Sequence, residues 1–192
     1  MKNGKSVMIV GVGGQGTLLA SRLLGAAMVA EGYDVKVSEV HGMSQRGGSV
    51  VTYVRYGEKV YSPIIEEGEA DIVLAFEQLE AARYLLYLKK GGVVVVNTQK
   101  MDPMPVVTGS TTYPEGLLED MEKKGARVLA LDALSLAEEA GSAKAVNVVL
   151  IGAMAKSLGQ EQAVWLKAIE ETVPAKFLEM NRKAFALGWQ AV

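Results

Sequence analysis

Apolar residues fall along this chain in two alternating rhythms. Residues 7–10 are continuously apolar and end in a glycine cluster; Leu19, Leu23, Ala27 and Ala30 then recur at intervals of three and four. A short unbroken run predicts a strand covered on both faces, and the wider spacing predicts a helix. The helix is expected over 17–31, with Gly32 as its stop. Alternation over 34–40 predicts a second strand. β-formers fill 49–56, Gly57-Glu58 offers a two-residue turn, and 59–62 returns, which predicts a β-hairpin.

The rhythm resumes with a buried strand at 71–76, a helix over 77–89 ended by Gly91-Gly92, and a buried strand at 93–96. That strand delivers Asn97 and Thr98 to its carboxyl end, where open α/β sheets place ligands, though Asn97 reads first as a turn residue. Three prolines make 101–114 an irregular excursion with a short strand expected at 106–107, and Pro114 suits the first turn of a helix reaching Lys124. A strand at 127–132 and helices at 134–140, 145–158, 161–172 and 175–187 complete the chain. The pattern predicts an α/β fold: one Rossmann-like domain over 1–192. Its sheet is mixed but mostly parallel and contains a β-hairpin, helices cover both faces, and the C-terminal part is helical.

The turn between the first strand and helix reads Gly11-Val12-Gly13-Gly14-Gln15-Gly16-Thr17, and Gly11, Gly13 and Gly16 fit G-x-G-x-x-G. One glycine permits the sharp turn, the next lets a ligand approach the backbone, and the third lets helix and strand pack closely. The helix start then offers N–H groups and a positive dipole end to a nucleotide or other anion. The same glycines can equally close a turn that holds nothing. Glu39 ends the second strand about where a dinucleotide-binding unit places its ribose-binding acid, and it reads equally as an ordinary strand-end carboxylate.

Composition narrows the chemistry. The 192 residues suit one core, with 49% hydrophobic and 22% charged residues, and the net charge of -2 argues against broad binding to nucleic acid or an acidic membrane. There is no cysteine, so no disulfide, thiolate zinc site or cysteine-ligated iron–sulfur cluster can form on this chain. One histidine, His41, excludes multi-histidine metal sites, and no metal site is expected. No leader and no membrane span are expected, which places the protein in the cytoplasm.

No catalytic constellation is legible. His41 has no serine or cysteine partner nearby, and pairs such as Glu138-Glu139 read as solvated helix faces. The segment His41-Gly42-Met43-Ser44-Gln45-Arg46-Gly47-Gly48 breaks the periodic pattern and holds three glycines. An arginine on such a backbone can clamp a carboxylate or phosphate, so the segment reads as a contact loop for a partner or active site rather than a mere connector.

The glycine turn, the run from Glu39 through Gly42-Met43-Ser44-Gln45-Arg46-Gly47-Gly48 to Val50, Ser62-Pro63, Ala70-Asp71, Glu77, Gly91-Gly92, Asn97-Thr98 and the stretch from Asn147 to Ala153 carry a resemblance. Together they resemble the gamma-type subunits of 2-oxoacid:ferredoxin oxidoreductases, most of all the indolepyruvate branch. The resemblance implies a subunit of a complex that oxidatively decarboxylates a 2-oxoacid, an aryl pyruvate such as indolepyruvate, to an acyl-coenzyme A. Thiamine diphosphate, iron–sulfur clusters and coenzyme A serve the complex. A partner subunit carries the thiamine and the clusters, and ferredoxin takes the electrons. This chain then holds no cofactor and no catalytic residue of its own. The alternative is an independent nucleotide-binding Rossmann-fold oxidoreductase using Gly11, Gly13, Gly16 and Glu39; an empty-turn scaffold is the third reading.

Overall fold

The first strand, β1 (Lys5–Val12), sends Val7 and Ile9 to one face and Met8 and Val10 to the other, and all four are fully buried. A strand apolar on both sides must lie inside a sheet covered twice. The computed structural model describes residues 3–41 and 48–192, with only the backbone of His41. Among them is a six-stranded sheet in the order β2-β3-β1-β4-β5-β6. Its other strands are β2 (Asp34–His41), β3 (Ser49–Gly57), β4 (Ala70–Ala75), β5 (Leu88–Asn97) and β6 (Arg127–Leu131). β1, β4, β5 and β6 are parallel, and β3 runs antiparallel between β1 and β2.

The hairpin expected of 49–56 with 59–62 does not form; β3 pairs instead with β1 and β2. β3 pairs with β1 on one side and β2 on the other, Tyr53 facing both Met8 and Ser38. Residues 59–62 have no free edge of β3 left to join, and they are not a strand. A hairpin joins β2 to β3, and its connection, residues 42–47, lies outside the described residues.

Helices α1 (Thr17–Ala30), α5 (Ala133–Ala140), α6 (Val146–Ser157), α7 (Gln162–Thr172) and α8 (Leu178–Gln190) share one core with Val7, Ile9, Leu74 and Val95. On the other face α2 (Gln78–Arg83) and α4 (Leu117–Lys123) supply Ala81 and Met121 to a smaller core with Met8, Val73 and Val94. Every residue of α6 from Val146 to Ala155 is buried, which explains the absence of a polar side in its sequence. α6 and α8 touch backbone to backbone. A Cβ on Gly188 would lie 1.9 Å from the Val149 carbonyl oxygen, and one on Gly152 2.2 Å from that of Phe185.

Three other boundaries differ from expectation. The helix expected over 77–89 ends at Arg83; a single 3₁₀ turn (Leu85–Tyr87) follows, and β5 begins at Leu88. Leu85, Tyr87 and Leu88 pack on the smaller core, which the extended chain reaches and a continued helix would not. Gly91-Gly92 thus lies within β5, where the register against β4 shifts. The short strand expected at 106–107 is instead α3 (Met104–Val107), opened by Pro103 as its cap and Pro105 in its first turn. The helix expected from Pro114 starts at Leu117, because Gly116, at φ 68°, forms its cap. No described helix is long and apolar enough to cross a membrane.

Candidate functional site

The glycine turn sits at the carboxyl end of β1, as the sequence predicts. Gly14 and Gly16 have φ of 99° and 86°, in the left-handed region that favours glycine. Gly16 caps α1, and a Cβ there would lie 2.7 Å from Nδ2 of Asn147, which itself donates to the Gly16 carbonyl at 3.3 Å. Asn147 is the one polar residue in the first two turns of the otherwise apolar α6. A polar residue inside an apolar run is the signal that could have marked it as a site residue.

Gln15 closes the turn on itself. Its Oε1 accepts from the Val12 N–H at 2.8 Å. Its Nε2 faces the Phe76 carbonyl at 3.2 Å, Gln99 Oε1 at 3.4 Å and Met101 Sδ at 3.2 Å. The Gly13 N–H donates to the Gly48 carbonyl at 2.9 Å. The Gln15 N–H donates to the Val12 carbonyl at 3.2 Å, so three amides of the turn are used within the chain, and that of Gly13 holds the far root of the 42–47 connection. Those of Thr17 and Leu18 have no acceptor inside α1, since the first turn of a helix leaves its N–H groups over.

Asn97 is a buried junction rather than a turn residue. It is fully buried, accepts from the Ala133 N–H at 3.1 Å, and donates to the Phe76 carbonyl at 3.2 Å. It thus ties the ends of β4 and β5 to the start of α5. Next to it, the buried Glu77 caps α2 through the Glu80 N–H at 2.9 Å and accepts from the Met101 N–H at 3.1 Å and from the Tyr113 hydroxyl. Burial, with the Glu77 carboxylate beside it, raises the Tyr113 hydroxyl above its ordinary range. Glu80, also buried, accepts from the Ser49 hydroxyl and lies 3.6 Å from Arg83. Burial raises its carboxyl, against the pull of Ser49 and Arg83. These two carboxylates fix the 48–49 and 101–113 segments around the turn.

The result is a cleft of about 820 Å³ between the turn, Gln99, Met101, Leu134 and the start of α6, with Lys144 at its edge. Among the described residues its lining contains no carboxylate, histidine or hydroxyl. It can hold an anion against backbone N–H groups and one lysine, with an apolar wall beside it. Lys144, on the short 3₁₀ turn before α6, carries no sequence signal, since only the fold brings it to the cleft.

Glu39 is not placed as a ribose-binding acid. β3 intervenes between β1 and β2, which moves Glu39 one strand further from the turn than a regular βαβ unit would, ~4.8 Å more. There its Oε1 accepts from Ser21 on α1 at 3.2 Å. The segment from Gly42 to Gly47 lies outside the described residues, as does the His41 side chain.

Residues 6–191 match the sequence profile of a family described as pyruvate ferredoxin/flavodoxin oxidoreductase. The chain is 47% identical to the indolepyruvate oxidoreductase subunit IorB of Thermococcus kodakarensis, over 97% of this chain and 95% of that protein. It is 30% identical to the pyruvate/ketoisovalerate oxidoreductases common subunit gamma of the same organism, over 91% and 89%. The gamma subunit of a keto/oxoacid ferredoxin oxidoreductase from Geobacter sulfurreducens superposes with a TM-score of 0.73 at 26% identity, covering 97% of both chains. The match runs along nearly the whole length: the chain belongs to the pyruvate ferredoxin/flavodoxin oxidoreductase family and is of its gamma-subunit type.

Proposed function

We propose that this chain is the non-redox subunit of a thiamine diphosphate-dependent 2-oxoacid:ferredoxin oxidoreductase acting on aryl pyruvates such as indolepyruvate. In that reaction a 2-oxoacid and coenzyme A give acyl-coenzyme A, carbon dioxide, a proton and two electrons passed to ferredoxin. The observation that carries the reading is the end-to-end match to subunits of such oxidoreductases by a chain without a single cysteine.

The residues present do not fit the redox groups. A cluster needs thiolates, and the chain has none. Among the described residues no three potential metal ligands of the His, Cys, Asp and Glu types stand together. A diphosphate held through a divalent cation needs carboxylate oxygens, and the described residues of the cleft lining supply none. We therefore assign thiamine and clusters to a partner subunit and treat residues 1–192 as one domain working in the cytoplasm.

Within it, the amides at Gly14, Gly16 and Thr17 are an anion site, and residues 41–48 are the contact with the thiamine-bearing partner, Arg46 supplying the charged donor. The reading as an independent nucleotide-dependent oxidoreductase has less support. Gln15 and the Gly48 carbonyl occupy the Val12 and Gly13 amides, and Glu39 lies a strand too far away.

The test is copurification of the tagged chain from its native cells. The recovered complex is expected to contain thiamine, iron and a second polypeptide, and to reduce a viologen dye with indolepyruvate and coenzyme A; the chain alone is expected to do neither. Turnover by the isolated chain, or a complex without thiamine and iron, overturns the proposal.

A further inference from the structure

The sheet ends in β6 on one side and β2 on the other. β6 is short, five residues, and opens on an exposed arginine, Arg127. β2 is eight residues long, pairs with β3 in unbroken register, and contains no proline. Among the described residues no strand pairs with its outer side. Such an edge presents a row of N–H and C=O groups to another strand, and β2 lacks the shortness, proline or bulge that blunts most edges.

Its side chains alternate between two faces. Val35, Val37 and Glu39 face α1, where Glu39 accepts from Ser21, and Lys36, Ser38 and Val40 face away. Between α1 and β2 runs a groove of about 440 Å³, whose lining includes Leu18, Arg22, Gly25, Val29, Val35 and Val37. Leu18, Val29 and Val37 are exposed. Glycine weakens a helix interior, and a Cβ on Gly25 would meet nothing within 4 Å, so no contact among the described residues calls for glycine there.

The order of residues fits this edge to a second copy of itself. A two-fold axis normal to the sheet pairs the two β2 strands antiparallel, with facing residues on the same side. Centring the pair on Lys36 or on Glu39 sets like charges directly opposite, which is unfavourable. Centring it on Ser38 puts two hydroxyls on the axis and the two Glu39 carboxylates on the diagonal. Centring it on Val37 puts two valines on the axis, Lys36 against Ser38 and Val35 against Glu39. The only like charges it brings to the diagonal are the two Lys36, each already paired with its own Asp34. The outer row of α1 obeys the same axis. α1 runs antiparallel to β2, and reversing the row turns each Leu18 toward a Val29 and each Arg22 toward a Gly25. The centre of that row lies ~4 Å along α1 from Ser21, and Val37 lies ~7 Å along β2 from Glu39, its partner, in the same direction. One axis thus serves strand and helix.

We propose that the chain forms a two-fold dimer by antiparallel pairing of β2 with β2 of a second copy about Val37, joining two six-stranded sheets into one. The contact uses none of the residues that line the glycine-turn cleft and does not depend on the function assigned to the chain.

The chain has no cysteine, so single-cysteine variants report the register directly. Val37→Cys sets two thiols opposite each other with Cα atoms ~4.5–5.5 Å apart, within disulfide reach. Val40, 50% exposed against 44% for Val37, lies six residues from its copy along the pair, ~20 Å. With oxidised glutathione, Val37→Cys is expected to give a covalent dimer on non-reducing gels, whereas Val40→Cys and Val107→Cys are expected to stay single. Sedimentation of the full wild-type chain at micromolar concentrations is expected to give twice the chain mass. Val37→Lys is expected to raise the dimer Kd at least about tenfold by opposing two ammonium groups, and Val107→Lys, on exposed α3, to leave it unchanged. Matching thermal melts verify folding, and the cysteine variants carry the test should Val37→Lys not fold. A wild-type monomer, equal cross-linking at positions 37 and 40, or a dimer indifferent to a folded Val37→Lys would overturn the proposal, the first by leaving the edge to a strand of another protein.

Discussion

Asn97 is the side chain on which the walls of the glycine-turn cleft depend, and its removal has a calculable cost. It is fully buried and joins three segments. Asn97→Ala leaves the Ala133 N–H without its partner, at about 1–3 kcal/mol, and removes one hydrogen bond to the Phe76 carbonyl, at about 0.5–1.5 kcal/mol. The second loss is softened because Gln15 Nε2 also faces that carbonyl, at 3.2 Å. The sum is about 2–4 kcal/mol, which for a chain of this size lowers Tm by roughly 5–15 °C. Asn97→Asp separates hydrogen bonding from packing. The introduced carboxyl can still accept from Ala133 but, ionised, cannot donate to Phe76, and none of the groups bonded to Asn97 is a cation. Burial raises its folded pKa above the unfolded value of about 3.9. The folded state then holds the extra proton, so the contribution is favourable at low pH and is lost as pH rises through the folded pKa. The stability gap between wild type and Asn97→Asp is thus expected to widen between pH 4.5 and 7, by about 1.4 kcal/mol for each tenfold by which burial weakens the acid. Urea melts of wild type and both variants at the two pH values measure it. A gap that stays constant with pH, or an Asn97→Ala melt coincident with wild type, would refute the junction role.

Gly188→Ala places a methyl 1.9 Å from the Val149 carbonyl oxygen and is expected to force α8 off α6, leaving little folded chain by circular dichroism at 37 °C. Glu80, whose carboxyl burial raises, contributes stability that is present below its unfolded pKa and lost as pH rises through the folded one; Glu80→Gln is expected to flatten that part of the stability–pH curve in thermal melts from pH 4 to 7. Arg46→Ala is expected to leave the melt of the isolated chain unchanged but to weaken assembly with the copurifying partner by about 1.5–3 kcal/mol, tenfold or more in Kd by calorimetry. Unchanged affinity and turnover would make the loop a connector only.

The features legible in the amino-acid order are those whose causes are local. An apolar run followed by glycines and then by three- and four-residue spacing is enough to specify β1, its turn and α1, because each choice is made by neighbours in the chain. The missing cysteines exclude whole classes of chemistry, since composition needs no fold to be read. Strand pairing, by contrast, is settled only in three dimensions. Alternating residues show that a segment is a strand but not which edge it meets. The run 49–57 is thus recognisable as a strand while its partner is not, and Glu39 looks adjacent to the turn although β3 lies between them. The same holds for the site: Gln15, Asn97 and Asn147 stand out only one by one and Lys144 not at all, and they are brought together only because β5, the α5 start and the α6 start close on the glycine turn. Hydrogen bonds between residues 61 to 131 positions apart are set by the packing of whole elements, and no short window of sequence contains that information.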